Sequence, residues 1–145
     1  VVQDETPSSI SVIAGYNGYA PDFHLLHRRK VTLCNNGKRL EGEDCLLPED
    51  EDALAAMEDT QQAVLRFHLH PEVRASKTGQ ETITLHTASG MRWVFSCNGT
   101  VAKPQLEESV YLGVSGKPKT SHQISIIINS IESVSTLSWS LEQRK

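Results

Sequence analysis

Hydrophobic and polar residues alternate along several short segments of the chain, most clearly in Ala63-Val-Leu-Arg-Phe-His-Leu-His-Pro71. Its apolar residues are Leu65, Phe67 and Leu69. Its polar residues, which alternate with them, are Arg66, His68 and His70. Successive side chains of a β-strand point to opposite faces, so the segment predicts a half-buried strand with a titratable outer face. Pro71 has no backbone N–H to continue a ladder and ends the strand.

A hairpin is predicted where strands at 27–34 and 38–44 are joined by Asn35-Asn36-Gly37. Asn and Gly tolerate the positive φ that tight hairpin turns require. A second hairpin is predicted at Ser89-Gly90. The remaining predicted strands are short runs rich in Val, Ile, Thr and aromatic residues: 9–14, 82–87, 91–97, 101–103, 108–112, 123–129 and 134–141.

Short strands separated by turn residues predict an all-β fold, namely one antiparallel β-sandwich of about 8–10 strands over residues 1–145, jelly-roll-like or distorted. A barrel is the less favoured alternative. Residues 46–62 are predicted as an acidic loop or a short helix, because Ala, Leu, Met and Glu favour helix. The inward strand faces predict these core residues: Leu65, Phe67, Leu69, Ile83, Leu85, Trp93, Phe95, Ile126 and Trp139.

Composition limits the possible partners. The 145 residues suffice for one core, and a net charge of -4 provides no global field for nucleic acid or an acidic polysaccharide, so a polyanion site has to be local. No apolar run approaches the roughly 18–20 residues of a membrane-spanning helix. The three cysteines have no CxxC spacing; their odd number argues against a disulfide scaffold, and three are too few for a zinc site of four thiolates.

Candidate metal ligands lie on the polar face of the 63–70 strand. His68 and His70 project to one side, as two nitrogen ligands of a zinc ion require. If the 82–87 strand pairs with this one in symmetric register, His86 lies diagonally across from His68 and completes three ligands. The alternative is that these histidines are only solvent-facing residues of a polar sheet face.

Aromatic and basic residues are concentrated between positions 16 and 30: Tyr16, Tyr19, His24, His27, Arg28, Arg29 and Lys30. Aromatic rings suit the faces of sugars, and arginine holds carboxylate or sulfate with two parallel hydrogen bonds. The predicted substrate-binding residues are Tyr16, Tyr19, His27, Arg28 and Arg66. The alternative is an exposed basic strand that discourages edge-to-edge pairing.

Three carboxylates follow on the returning strand, at Glu41, Glu43 and Asp44. Two carboxylates could serve hydrolysis if they flanked a glycosidic bond. We favour cross-strand ion pairs with Arg28, Arg29 or Lys30.

Five motifs together resemble the C-terminal part of bacterial heparinase II/III-like proteins. In chain order they are Gly15-Tyr-Asn-Gly-Tyr-Ala20, His27-Arg-Arg-Lys-Val-Thr-Leu33, Arg39-Leu-Glu-Gly-Glu-Asp44, Ala63–Pro71 and Glu108-Ser-Val-Tyr-Leu-Gly113. The resemblance implies a polysaccharide lyase with an N-terminal α/α toroid and a C-terminal β-sandwich, which cleaves uronate-containing polysaccharide by β-elimination. Some members of the family hold a zinc ion in the sandwich.

The chain contains neither the toroid nor the family's preceding segment with a catalytic histidine. The resemblance therefore implies a C-terminal β-sandwich segment that supports substrate binding and domain packing and is catalytically silent alone. Its implied partners are an acidic polysaccharide and the missing toroid, with zinc as a possible cofactor and with no nucleic acid or membrane. The compartment stays open between bacterial periplasm and cytoplasm. A stand-alone carbohydrate-binding module and a purely structural domain are the alternatives.

Overall fold

The computed structural model describes residues 1–56, 62–98, 103–113, 116–129 and 135–145. Within these ranges the chain forms eleven strands and two short helices. The strands are β1 (Val2–Thr6), β2 (Ser9–Tyr16), β3 (Leu25–Cys34), β4 (Arg39–Pro48), β5 (Gln62–His68), β6 (Arg74–Lys77), β7 (Thr82–His86), β8 (Arg92–Asn98), β9 (Gln105–Leu112), β10 (Pro118–Asn129) and β11 (Ser135–Arg144). The helices are α1 (Ala20–Phe23) and α2 (Glu51–Ala56).

The strands form two antiparallel sheets of unequal width. The larger has eight strands in the order β1-β2-β3-β4-β11-β8-β7-β6, and the smaller has three in the order β5-β10-β9. The smaller sheet packs on one face of the larger, with β9 near β6 and β5 against the β3, β4 and β11 side. The predicted antiparallel sandwich is therefore confirmed.

Two described strands were absent from the prediction, which gave about 8–10. Every residue of β1 is exposed, so its sequence lacks the alternation of apolar and polar residues that indicates a half-buried strand. It forms through a tight turn to β2, in which the backbone N–H of Ser9 donates to Thr6 Oγ1 at 3.1 Å. Strand β6 lies in a polar segment between the predicted strands 63–70 and 82–87, and of its residues only Ala75 packs against the core.

Both predicted hairpins are present. Asn35, Asn36 and Gly37 adopt φ values of 53°, 52° and 78° between β3 and β4, and Gly90 adopts 81° between β7 and β8. In the 46–62 segment, the first three residues complete β4, 51–56 form α2, and Gln62 begins β5. Residues 57–61, and residues 101 and 102 of a predicted strand, lie outside the described ranges.

All nine predicted core residues lie between the sheets. Ile83, Leu85, Phe95, Ile126 and Trp139 are buried, and the other four are partly buried against them: Leu65, Phe67, Leu69 and Trp93. Phe67 of the smaller sheet meets Trp139 and Phe95 of the larger one, with ring centroids 4.8 and 5.1 Å apart. This aromatic contact joins the two sheets.

Candidate functional site

A buried carboxylate, Asp44 of β4, organises the polar centre of the larger sheet's core-facing side. It is only 3% exposed and accepts from three side chains. Arg29 Nε and His27 Nε2 lie 2.6 and 2.7 Å from its Oδ1, and Trp139 Nε1 donates to Oδ2 at 2.8 Å. A buried carboxylate is tolerated when it is paired and hydrogen-bonded in this way.

Local sequence explains two of these three contacts. The turn at 35–37 fixes the register of β3 and β4, so that Arg29 lies directly opposite Asp44. His27 is two residues from Arg29 and therefore shares its face. The predicted cross-strand ion pair is thus present between Asp44 and Arg29, although it is far more buried than an ordinary surface pair.

Beside this cluster the two sheets enclose a pocket of about 290 Å³, the inter-sheet pocket. His27 and Asp44 supply its polar side. Its apolar wall comes from both sheets and from the connection between β2 and β3, with Tyr19, Phe23, Leu25, Leu46, Leu65 and Ile128. The pocket thus combines an apolar wall with a few convergent polar groups, as small-molecule sites do.

The β2–β3 connection places two aromatic rings at the pocket. Helix α1 is a single turn with Pro21 near its start, and it ends at Phe23; the next residue, His24, caps it with a φ of 54° and reverses the chain. Tyr19 and Phe23 remain 44% and 50% exposed. Tyr16 meets Tyr19 edge to face, with centroids 5.3 Å apart, and extends the aromatic surface beyond the pocket.

Arg29 supplies positive charge next to the pocket. Its side chain is 37% exposed, and its guanidinium lies 5.7 Å from the centre of the Phe67 ring. Asp44 accepts from its Nε, and its terminal nitrogens have no acceptor among the described residues. These nitrogens are therefore available to an acidic group of a ligand.

The structure brings together only part of the predicted substrate-binding set. Tyr19 and His27 line the inter-sheet pocket, and Tyr16 contacts Tyr19. Arg28 lies on the opposite face of β3 and is exposed. Arg66 lies on the outer face of the smaller sheet, opposite Ser125, so neither arginine joins the pocket.

The pairing assumed for the three-histidine zinc site is wrong. Strand β5 pairs with β10, so His68 lies opposite Gln123, whereas His86 lies in the larger sheet opposite Arg74 and Arg92. Strand β10 takes the place beside β5 that the prediction gave to β7, with Ile124 opposite Phe67 and Ile126 opposite Leu65. No group of three or more His, Cys, Asp or Glu in the described residues is placed to hold a metal ion.

His68 and His70 themselves are exposed, as the alternation of residues 63–70 predicted, although the strand ends at His68. His68 Nδ1 lies 3.2 Å from Ser109 Oγ, and the ring of His70 meets Tyr111 edge to face at 5.0 Å. Metal binding by these two histidines stays a prediction.

Sequence reasoning missed Asp44, Arg29 and Trp139 as one unit. The contact of Asp44 with His27 and Arg29 could have been predicted from the register of the β3–β4 hairpin and from the two-residue period of the strand. Nothing local indicates Trp139, which is 95 residues from Asp44.

Structural comparison shows which solved proteins share this fold. A heparan sulfate lyase mutant from Pedobacter heparinus matches with a TM-score of 0.77 at 13% identity, over 99% of this chain and 21% of the other. One structure of heparinase III matches with a TM-score of 0.77 at 12% identity over the same shares, and another with 0.74 at 16% identity over 99% and 20%. The shared property is the fold, and the chain spans about a fifth of the length of these relatives.

The sequence then assigns the family. The family described as Heparinase II/III-like, C-terminal matches residues 1–140, and the chain belongs to it. This confirms the resemblance that the five motifs indicated. Comparison with curated proteins gives no significant match. Neither described helix is long and apolar enough to cross a membrane.

Proposed function

We propose that residues 1–145 are the C-terminal β-sandwich domain of a longer polysaccharide lyase, in which they bind uronate-containing polysaccharide and pack against the other domains. The observation that carries this proposal is the pair formed by His27 and Arg29 on one oxygen of Asp44, next to exposed aromatic rings. Membership of the Heparinase II/III-like, C-terminal family supports the same proposed function.

The chemistry of the pocket suits an acidic sugar. Tyr19 and Phe23 would present ring surface to a pyranose, and the terminal N–H groups of the partly exposed Arg29, beside the pocket, would donate to a carboxylate or sulfate. Because Asp44 holds Arg29 Nε and His27 Nε2, both side chains are oriented before the ligand arrives. Such preorganisation lowers the entropic cost of binding.

The reaction proposed for the whole protein is β-elimination. A base removes the proton α to the uronate carboxylate, and an acid protonates the leaving oxygen. A positive or hydrogen-bonding group neutralises the carboxylate in the transition state. Residues 1–145 contribute binding to this scheme, and the groups that transfer protons come from outside them.

Binding is tested with heparan sulfate oligosaccharides by isothermal titration calorimetry, with a neutral dextran as the control ligand. We expect Tyr19→Ala and His27→Gln each to weaken binding about tenfold, which corresponds to about 1.4 kcal/mol. Arg28→Ala is the matched control, because Arg28 follows His27 but lies on the opposite face. Its effect should stay within about threefold, the size expected for a rim charge.

Two results would contradict the proposal. Equal losses in Arg28→Ala and Tyr19→Ala would place the glycan on the exposed sheet face instead of the pocket. Unsaturated uronate, detected by ultraviolet absorbance after incubating residues 1–145 with heparan sulfate, would show that these residues contain the catalytic groups themselves.

A further inference from the structure

The most buried part of the inter-sheet pocket is lined mainly by hydrocarbon. Leu25 and Ile128 are 5% and 7% exposed. The partly buried lining residues are also apolar, apart from His27: Leu46, Ala63, Val64 and Leu65. The exposed lining residues Tyr19, Phe23 and Gln62 form the rim. A sugar hydroxyl placed against the apolar wall would lose its hydrogen bonds to water, so the inner part of the pocket suits an apolar substituent.

His27 provides one hydrogen-bond acceptor beside this wall. Its Nε2 lies 2.7 Å from Oδ1 of Asp44, and both side chains line the pocket. A carboxylate only accepts hydrogen bonds, so Nε2 carries the proton and Nδ1 of the neutral ring is an acceptor. In the part of the chain that the structure describes, Nδ1 has no partner. The pocket therefore favours a ligand group that donates one hydrogen bond next to an apolar carbon.

We propose that the inter-sheet pocket binds the N-acyl group of an amino sugar. The acyl methyl group contacts Leu25 and Ile128, and the amide N–H donates to Nδ1 of His27. In a planar trans amide the N–H and the acyl carbon lie on the same side of the C–N bond, so one acceptor beside an apolar wall fits both. The pocket volume of about 290 Å³ is at the lower end of the range for ligand sites, which suits one substituted sugar and not several.

This assignment rests on the proposed function and adds to it the sugar that neighbours the uronate. Arg29 lies beside the pocket, and its terminal nitrogens have no acceptor among the residues described, so they hold the acidic sugar while the pocket holds the amino sugar. An N-sulfo group keeps the N–H but would place charged oxygens against hydrocarbon, which is costly. The ligand class is therefore a glycan in which uronate alternates with an N-acetylated amino sugar.

The test compares two oligosaccharides of equal length by isothermal titration calorimetry. Both alternate glucuronate with glucosamine and carry no O-sulfate; one is N-acetylated and the other is N-sulfonated. We expect the 145-residue chain to bind the N-acetylated ligand at least about tenfold more tightly, the size of discrimination that a well-formed apolar pocket provides. This comparison needs no variant of the protein.

The outcomes separate this assignment from the proposed function. Equal affinities, or tighter binding of the N-sulfonated ligand, would overturn the N-acyl assignment and leave acidic-glycan binding intact. Binding of neither ligand, together with no binding of heparan sulfate, would overturn both.

Ala63→Leu fills the wall of the pocket. Ala63 lines it, so the larger side chain would occupy the space of the acyl methyl group. The ratio of the two affinities should then fall to within about threefold of equality. Ala75→Leu is the matched control, because Ala75 is also partly buried against the core but lies in β6, at the other end of the larger sheet. It should keep the wild-type ratio, and equal ratios in the two variants would contradict the assignment.

Saturation-transfer NMR on the wild-type chain locates the acyl group directly. With the protein methyl resonances irradiated, the acetyl methyl protons of the N-acetylated ligand should receive more saturation than any other ligand protons, because they contact leucine and isoleucine side chains. Saturation greatest on the uronate ring protons would place a different part of the glycan in the pocket and overturn the assignment.

Discussion

At the scale of single residues, Asp44 differs from every other acidic group described in the sheet. Glu41 pairs with Arg39 at 2.7 Å, but both side chains are more than one third exposed. Such exposed pairs contribute little, because water screens them and two flexible chains lose entropy. Asp44 is buried and accepts from Arg29, His27 and Trp139, so losing its charge would leave donors without an acceptor.

We expect Asp44→Asn to lower the free energy of unfolding by about 2–3 kcal/mol, because the amide keeps the volume but accepts more weakly. The partial exposure of Arg29 keeps the cost below that of a fully buried ion pair. Urea denaturation followed by tryptophan fluorescence measures the change.

The matched control is Glu43→Gln, one residue earlier in β4 and on the outer, exposed face. Its effect should stay within about 0.5 kcal/mol. Similar losses in both variants would mean that general charge balance, and not the buried contacts of Asp44, determines the stability of this strand.

At the scale of elements, β4 and β11 pack closely because Gly42 lies directly opposite Trp139. A Cβ built on Gly42 would lie 2.0 Å from the indole atoms Cε2 and Cζ2. The ring therefore lies over the glycine, and from there its Nε1 reaches Asp44 and its face meets Phe67. A single small residue thus positions the aromatic contact between the sheets.

Gly42→Ala should therefore destabilise the chain by about 1–3 kcal/mol, the usual cost of inserting a methyl group into a packed core. The near-ultraviolet circular dichroism of Trp139 should change as the ring moves. Gly15→Ala provides the control, because a Cβ at this strand glycine meets nothing within 4 Å. If Gly42→Ala left the free energy of unfolding unchanged, the indole would have another place to pack.

At the scale of the whole molecule, the described core contains one group whose ionisation opposes folding at high pH. Cys97 of β8 is fully buried, and burial, together with the nearby charge of Glu81, raises the pKa of its thiol from 9.0 to about 11. The folded state therefore holds this proton more tightly than the unfolded state. The resulting stability is complete below about pH 9 and is lost as the pH rises through about 11.

Thermal unfolding between pH 8 and 11 should show an alkaline loss of stability that is smaller in Cys97→Ala, by up to about 2 kcal/mol. The comparison uses the change in the free energy of unfolding with pH. The loss of stability caused by the smaller alanine side chain is the same at every pH and does not affect this slope. Identical slopes for Cys97→Ala and wild type would contradict the expectation.

The histidine prediction shows that the sequence predicts the face of a strand but not the strand that pairs with it. The alternation of residues 63–70 placed His68 and His70 on an exposed face; both are exposed, although β5 ends at His68. The partner of β5 was a separate question, because a strand period carries no information about its neighbour. Strand β10 pairs with β5 instead of β7, and this removes His86 from the proposed ligand set.

The sequence by itself determined the faces of the strands, the β3–β4 and β7–β8 hairpins, the core residues and the family. Each depends on residues a few positions apart, on turn glycines and asparagines, or on motifs read in order. Only the tertiary structure decided that β5 joins β10 and that Trp139 completes the contacts of Asp44 across 95 residues. These features arise because distant strands pair where their apolar faces are buried together, a condition on the whole chain and not on any one segment.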